Sequence, residues 1–268
     1  SVKADQLKTT AVSAIPQADQ INNPDARLLL TPLPSLPLLQ RYAECFQGVS
    51  PADFARFGRH FWEVIDFGSF KFWQSTVEAT TPYGGRELVL WWGDGLQEAV
   101  AAGSAFLRGQ KAWGKLGVVV RQMRHLPCTL YSGEVFDTNC AVIVPEDSSL
   151  VSAIWAYCSS PEYADAVRQL DQKTNVTNAT LVKIPFDLEH WSRIARESFA
   201  QGLPKPDSHE PTQWLFQGHP RASESPLGTG VARLVGYQWP RQSGVSFADC
   251  SALGSDGLEK HTDRDGNP

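Results

Sequence analysis

The sequence predicts an α+β fold in which a mixed or antiparallel sheet is flanked by helices. Short runs rich in Val, Ile, Thr and Tyr, which are typical of strands, follow one another between residues 116 and 144. They do not alternate strictly with helices, as they would in a βαβ protein. Capped helical segments come next, between residues 147 and 202. The length of 268 residues allows one large domain or two of ordinary size.

The first half of the chain is predicted from its caps, turns and periodicity. Residues 1–40 are polar and then Pro-rich, so we expect an irregular lead-in. A helix is predicted to start at Ser50, which serves as its N-cap, with Pro51 in the first turn. Five apolar residues then recur at helical spacing: Phe54, Phe57, Phe61, Val64 and Ile65. Tyr83-Gly84-Gly85 predicts a turn, and residues 87–92 predict a strand.

The second half has clearer signals. Strands are predicted at 116–121, 127–131, 140–144 and 176–186. Helices are predicted after Asp147 or Ser148, after Ser160 and after Asp187, with the last one stopping near Gly202. We therefore predict a domain at 41–202, a small helical extension at 203–250 and a flexible tail at 251–268, which lacks aromatic residues.

The net charge of −5 conceals one basic block. Residues 1–98 carry 8 Lys and Arg against 11 Asp and Glu, residues 99–133 carry 5 against 0, and residues 134–268 carry 11 against 18. The five cations of the block are Arg108, Lys111, Lys115, Arg121 and Arg124. Lys and Arg neutralise phosphates, and Arg also reads guanine edges. The block is therefore a candidate DNA-binding segment, the alternative being a solvated hairpin with Trp113 in the core.

Two neighbouring amides extend this candidate site. Gln122 and Asn139 are possible adenine partners, because an amide side chain can bond both N6 and N7 of adenine. Arg121 and Arg124 are the first candidates for base reading, since they lie at the end of a predicted strand and in the turn that follows it.

Motifs of catalysis are absent from the sequence. It contains no G-x-S-x-G, HExxH, Walker or GxGxxG pattern, so we predict no catalytic, cofactor or metal residues in this chain. Glu134, Asp137 and Asp147 are close in sequence and leave a metal-dependent nuclease as a further alternative. Asn22-Asn23-Pro24-Asp25 resembles the Asn-Pro-Pro-aromatic element of amino-methyltransferases, but it lacks the second proline and the ring, and we interpret it as a turn.

Other features concern the setting of the protein. Five cysteines without a CxxC pair predict neither a disulfide framework nor a zinc site, as is typical of a cytoplasmic protein. No run of about 18 apolar residues exists, so no membrane span is predicted. The chain begins with Ser1 rather than Met, and we expect it to be a fragment of a longer protein.

Several segments of the chain form a combination that points to a known family. They include Gly-Gln-Lys-Ala-Trp-Gly-Lys at 109–115, Met-Arg-His-Leu-Pro-Cys-Thr-Leu-Tyr-Ser-Gly-Glu-Val-Phe-Asp-Thr-Asn at 123–139, Ile-Val-Pro at 143–145, Ser-Ser-Pro-Glu-Tyr at 159–163, and Thr-Asn-Ala-Thr-Leu-Val-Lys-Ile-Pro-Phe-Asp at 177–187 with Trp191. Together they resemble the C-terminal region of large bacterial adenine-specific DNA methyltransferases, of the type IIG restriction-modification and DISARM-like phage-defence kinds. Residues 57–63, 211–220 and 232–240 are similar to flanking parts of the same proteins.

This resemblance implies a target-recognition domain that binds double-stranded DNA. In such enzymes a separate catalytic domain holds S-adenosylmethionine and receives the flipped adenine. Because the chain lacks the motifs of that domain, we expect S-adenosylmethionine to bind only in the missing part of the parent protein, which would also be a partner of this chain. The alternative is a protein-interaction scaffold of a phage-defence complex, with exposed tryptophans and the Pro-containing linker as its contacts.

Overall fold

The computed structural model describes residues 14–30, 32–64, 66–205 and 226–234, together with residues 5 and 9. Within these ranges the protein is α+β, as predicted. The strands form two four-stranded sheets rather than the single sheet that we expected. The predicted tail at 251–268 and most of the predicted extension at 203–250 lie outside the described residues.

The first sheet is antiparallel, and the second is mixed. The strands are β1 (Ala43–Gln47), β2 (Gly58–His60), β3 (Phe70–Gln74), β4 (Leu88–Trp91), β5 (Gly117–Arg121), β6 (Cys128–Tyr131), β7 (Val135–Phe136) and β8 (Cys140–Pro145). The first sheet has the order β1-β8-β5-β6 and the second the order β2-β4-β3-β7. In the second sheet β7 runs parallel to β3, and the other pairs are antiparallel.

Seven α-helices are described, and the predicted caps of three segments are confirmed. The helices are α1 (Gln17–Gln20), α2 (Phe54–Phe57), α3 (Asp94–Ala101), α4 (Val151–Cys158), α5 (Pro161–Leu170), α6 (Leu188–Ser198) and α7 (Pro226–Leu234). The side chain of Ser160 caps α5, and that of Asp187 caps α6. Asp147 caps a 3-10 turn, Ser148–Leu150, that leads directly into α4. Pro24–Ala26 is also a 3-10 turn, as its sequence predicts.

The helix predicted from Ser50 is wrong over most of its length. Only Phe54–Phe57 is helical, and its cap is Asp53, whose carboxylate accepts from the backbone N–H of Arg56. The chain then becomes β2, because Gly58 pairs with Leu90 of β4. Of the periodic phenylalanines, Phe57 and Phe61 are buried and Phe54 is exposed. Phe57 and Phe61 belong to different hydrophobic clusters instead of one helix face.

The strand predicted at 176–186 is also wrong. This segment contains a 3-10 turn, Thr180–Val182, and touches a strand-like partner only at the isolated bridge between Pro185 and Leu38. Its apolar side chains, including Leu181, Ile184 and Phe186, are nevertheless fully buried beneath the first sheet. Burial without a continuous strand partner explains why an apolar, β-branched run did not become a strand.

Both faces of the first sheet are covered. One face packs on α4, α5 and α6 in the largest hydrophobic cluster, through residues such as Val118 and Ile143. The other face, with Val119 and Val142, is covered by Phe136 and by Ala112 of the basic block. The segment of the basic block that precedes β5 is therefore held against this face of the sheet by its apolar residues. No helix in the described part of the chain is long and apolar enough to cross a membrane.

The buried cysteines provide a test of the core. Cys128, Cys140 and Cys158 are free and buried, and burial raises the pKa of each thiol, that of Cys128 to about 12. Because the thiolate is the reactive form, we expect these three thiols to resist an aromatic disulfide reagent at pH 8 in the folded protein and to react after unfolding in urea. The control is a variant in which Cys128, Cys140 and Cys158 are all replaced by serine. In the native state it and the wild type should be modified to the same extent, and greater modification of the wild type would contradict this packing.

Candidate nucleic-acid interface

The register of the first sheet brings several of the predicted site residues to one end. Ala141 of β8 is paired with Gln47 of β1 on one side and with Val120 of β5 on the other. Gln47 and Val120 are therefore two strand spacings apart, which is roughly 10 Å. Arg108 joins this end because its guanidinium donates to Oε1 of Gln47 at 3.1 Å. Arg121 ends β5 and is paired with Cys140, the residue that follows Asn139.

We call this region the basic end. It is defined by six residues: Arg108, Arg121, Arg124, Asn139, Arg168 and Lys173. Its centre is the tight connection between β5 and β6, at 122–127.

The β5–β6 turn is conformationally strained. Arg124 and Leu126 both have a positive φ of 58°, which side-chain-bearing residues rarely adopt. Each such residue costs on the order of 1 kcal/mol or more, so the surrounding contacts must hold the turn in place. Leu126 is buried and anchors the turn in the core, whereas the Arg124 side chain is 60% exposed. The turn thus presents a cation to solvent from a rigid base.

One carboxylate binds both arginines of the turn. Glu78 accepts from Arg121 through Oε1 and from Arg124 through Oε2, each at 2.5 Å. The hydrogen bond from Arg121, assisted by the charge of both guanidiniums, holds the pKa of Glu78 below its usual value. Glu78 is itself 71% exposed, whereas Arg121 is only 15% exposed. The two arginines therefore form a clamp for an anion, and a side chain of the same chain occupies it.

Arg168 and Lys173 are site residues that the sequence did not reveal. Arg168, in the last turn of α5, donates to the backbone carbonyl of Arg124 at 2.5 Å and to that of Lys173. These contacts tie the strained turn to the segment after α5. The nearest acid, Asp171, is buried and its Oδ2 lies 3.2 Å from Nη1 of Arg27. No signal in the sequence links these residues, because more than 40 positions separate Arg124 from Arg168.

The two predicted adenine readers differ in their surroundings. Gln122 is buried, and its Nε2 donates to the carbonyl of Val176 at 2.8 Å, so its amide is occupied inside the protein. Asn139 is exposed, and its Nδ2 donates to Oδ1 of Asp137 at 3.0 Å. Burial raises the pKa of Asp137, although the hydrogen bonds from Asn139 oppose this shift. Of the two amides, only that of Asn139 is presented at the basic end.

The remaining cations of the block lie elsewhere. Lys115 precedes β5 and is about 20 Å from Arg121 along the strand direction. It lines a groove of about 470 Å³ that also contains Glu44 and Glu146. Lys111 is exposed on the short 3-10 turn Gln110–Ala112 between the two ends. The block is therefore continuous in sequence but divided in space.

Trp113 is partly buried and packs against two of the hydrophobic clusters. Its ring meets that of Trp92 edge to face at 5.6 Å, and the ammonium of Lys71 lies 4.2 Å from the Trp92 ring and 5.4 Å from the Trp113 ring. This packing matches the alternative in which Trp113 belongs to the core.

The three acids of the nuclease alternative have separate structural roles. Glu134 is buried in an ion pair with Arg86, Asp137 is bonded to Asn139, and Asp147 caps the turn before α4. Among the residues that the structure describes, no group of three or more His, Cys, Asp or Glu side chains could hold a metal ion.

Comparison with known proteins adds no further assignment. No protein-family model matches the chain, and no curated protein matches it.

Proposed function

We propose that this chain binds double-stranded DNA through the basic end and is the recognition portion of a cytoplasmic, adenine-specific DNA methyltransferase or restriction-modification enzyme. The proposal combines the resemblance of the sequence with the surface described above. S-adenosylmethionine and methyl transfer would belong to the catalytic domain of the parent protein, which would receive the flipped adenine. In this proposal the fold is a target-recognition domain.

One observation carries the proposal: cations from three separate parts of the chain converge on one strained hairpin. Arg108 lies before β5 of the first sheet, Arg121 is the last residue of β5, and Arg124 lies in the turn after it. Arg168 lies in α5 and bonds to this turn, and Lys173 lies just after α5. Strained residues held by their surroundings are common at functional sites. The exposed turn between β5 and β6 would reach base edges in the major groove of B-DNA.

The residues of the basic end divide into two roles. Arg108, Arg168 and Lys173 flank the turn and suit phosphate contacts, which set the register on the duplex. Arg124 and Asn139 are exposed at its centre and suit base edges, Arg for guanine and Asn for adenine. This division revises the sequence-based choice by replacing Lys111, Lys115 and Gln122 with Arg168 and Lys173.

Salt dependence tests the proposal. If Arg108, Arg168 and Lys173 each touch a phosphate, the logarithm of the duplex affinity should fall against the logarithm of the salt concentration with a slope of about −3. Arg168→Gln should make this slope shallower by about 1. Fluorescence anisotropy with a labelled duplex, titrated at several salt concentrations, measures both quantities.

Lys115→Gln is the matched control, since it also removes one exposed cation but at the opposite end of β5. Its slope should equal that of the wild type. A wild-type slope near zero, or equal losses from Lys115→Gln and Arg168→Gln, would rule out the basic end as the duplex site.

The scaffold alternative is supported by exposed aromatic side chains near the second sheet. Trp62 is 44% exposed and Trp91 is 38% exposed, and aromatic side chains are common anchors of protein interfaces. Binding to a purified defence-complex protein together with no affinity for any duplex would favour the scaffold. Residues 206–211 of the predicted linker at 203–211 lie outside the described residues.

A further inference from the structure

A second surface combines aromatic rings with arginines, away from the basic end. It is a groove of about 340 Å³ where β3 and β4 of the second sheet meet α2 and the start of α3. Six residues line it: Arg56, Phe57, Arg59, Phe70, Trp91 and Gly95. None of the six is acidic.

The exposed indole of Trp91 is held in a fixed place. A Cβ atom on Gly93 would lie 2.3 Å from Nε1 of Trp91, so the indole rests directly on the glycine backbone. Gly93 has a φ of −84°, which any residue can adopt, and the close approach of the ring is therefore what requires glycine here. Phe70 meets the indole edge to face at 5.1 Å. These contacts fix the ring while 38% of the residue remains exposed.

The two arginines give the groove a positive charge. Arg59 donates through Nη1 to the carbonyl of Gly58 at 2.6 Å, which orients its guanidinium at the end of α2. The guanidinium of Arg56 lies 5.0 Å from the centre of the Phe57 ring. Within the described part of the chain, neither arginine has an acidic partner within 4.0 Å.

We propose that this groove binds unpaired nucleotides of single-stranded DNA, with a base stacked on Trp91 and the neighbouring phosphates bound by Arg56 and Arg59. This inference rests on the proposed function for its choice of nucleic acid as the partner. A fixed ring beside unpaired cations is the arrangement that binds single strands, because every base has a stacking face and every nucleotide a phosphate. The base pairs of an intact duplex do not offer a free face to such a ring.

The test compares three labelled ligands by fluorescence anisotropy with the whole chain. They are an oligothymidine of about 16 nucleotides, an abasic strand of equal length, and a duplex. The wild type should bind the oligothymidine roughly five- to 100-fold more tightly than the abasic strand, which has the same charge but no bases. Trp91→Ala should remove this preference, and Trp91→Phe should retain part of it.

Gly93→Ala is a second variant that leaves the indole present. Its Cβ would displace the ring, so we expect a loss of oligothymidine affinity that approaches the loss in Trp91→Ala. Trp62→Ala is the control, because it removes another exposed tryptophan that does not line the groove. Duplex affinity should stay within twofold of the wild type in all of these variants, which also shows that they are folded.

The outcomes separate this inference from the proposed function. Equal binding of the abasic strand and the oligothymidine, or unchanged binding in Trp91→Ala, would overturn the stacking site even if the duplex still binds through the basic end. Oligothymidine binding that depends on Trp91, together with no duplex binding, would support the groove and contradict the proposed function. Binding of an acidic peptide with the same dependence on Trp91, and of no strand, would assign the groove to a protein partner and overturn the inference.

Discussion

Glu134→Ala is expected to lower the free energy of unfolding by about 3–5 kcal/mol, because it leaves a buried guanidinium without its counter-charge. The side chains of Arg86 and Glu134 are 1% and 2% exposed. Nη2 of Arg86 also donates to the carbonyl of Leu130 at 2.8 Å and to Oγ of Ser132 at 3.0 Å. Since domains are stable by about 5–15 kcal/mol in total, this loss would remove a large share of the stability.

The position of the pair explains why its loss should affect the whole fold. Arg86 lies two residues before β4 of the second sheet, and Glu134 lies between β6 of the first sheet and β7 of the second. The pair therefore fixes the point at which the chain crosses from one sheet to the other. Urea unfolding monitored by tryptophan fluorescence measures the effect.

Two further variants make this prediction specific. Glu146→Gln, which changes an exposed glutamate after β8, should stay within about 0.5 kcal/mol of the wild type. The double variant Arg86→Met, Glu134→Leu should recover much of the stability, because apolar residues of similar size can replace a buried ion pair. A loss below about 1 kcal/mol in Glu134→Ala would show that the pair does not hold the crossover.

Local signals predicted the caps and most of the elements in the second half of the fold, the segment at 176–186 being the exception. The caps at Asp147, Ser160 and Asp187 each depend on one side chain and the three residues that follow it, so they are independent of the rest of the chain. The helix expected from Ser50 depended on a cap at Ser50 and on apolar periodicity. The cap is Asp53 instead, and the pairing of Gly58 with Leu90 overrode the periodicity. Leu90 is about 30 positions from Gly58, so the local sequence around Ser50 does not reveal this pairing.

The candidate site shows the same limit. The basic block includes Arg121 and Arg124, and both lie at the basic end, but the block lacks acids only along the sequence. In space Glu78 lies between those two arginines, 43 and 46 positions away from them, and Arg168 reaches the same turn from the other side. The charge at a surface depends on which segments the sheet register brings together, and that register was not predictable from one sequence.

Glu78→Gln is expected to raise the affinity for duplex DNA about three- to tenfold at low salt, the opposite of the usual effect of a surface substitution. In the wild type the DNA must compete with the Glu78 carboxylate for the guanidiniums of Arg121 and Arg124. The pKa of Glu78 is lowered by those guanidiniums, so the carboxylate is charged at pH 7 and repels the phosphate. An exposed ion pair contributes only about 0.2–1 kcal/mol, so losing both pairs should cost the fold little.

The direction of this effect discriminates between two explanations of the clamp. If Glu78 occupies an anion site, removing its charge exposes both arginines, and the gain should shrink at high salt as screening weakens the repulsion. If Glu78 instead orients the arginines for binding, the same substitution should lower the affinity. Glu146→Gln changes the net charge equally at the far end of the first sheet, and it should leave duplex binding within about 1.5-fold of the wild type. A gain in both variants would attribute the effect to net charge alone and contradict the clamp.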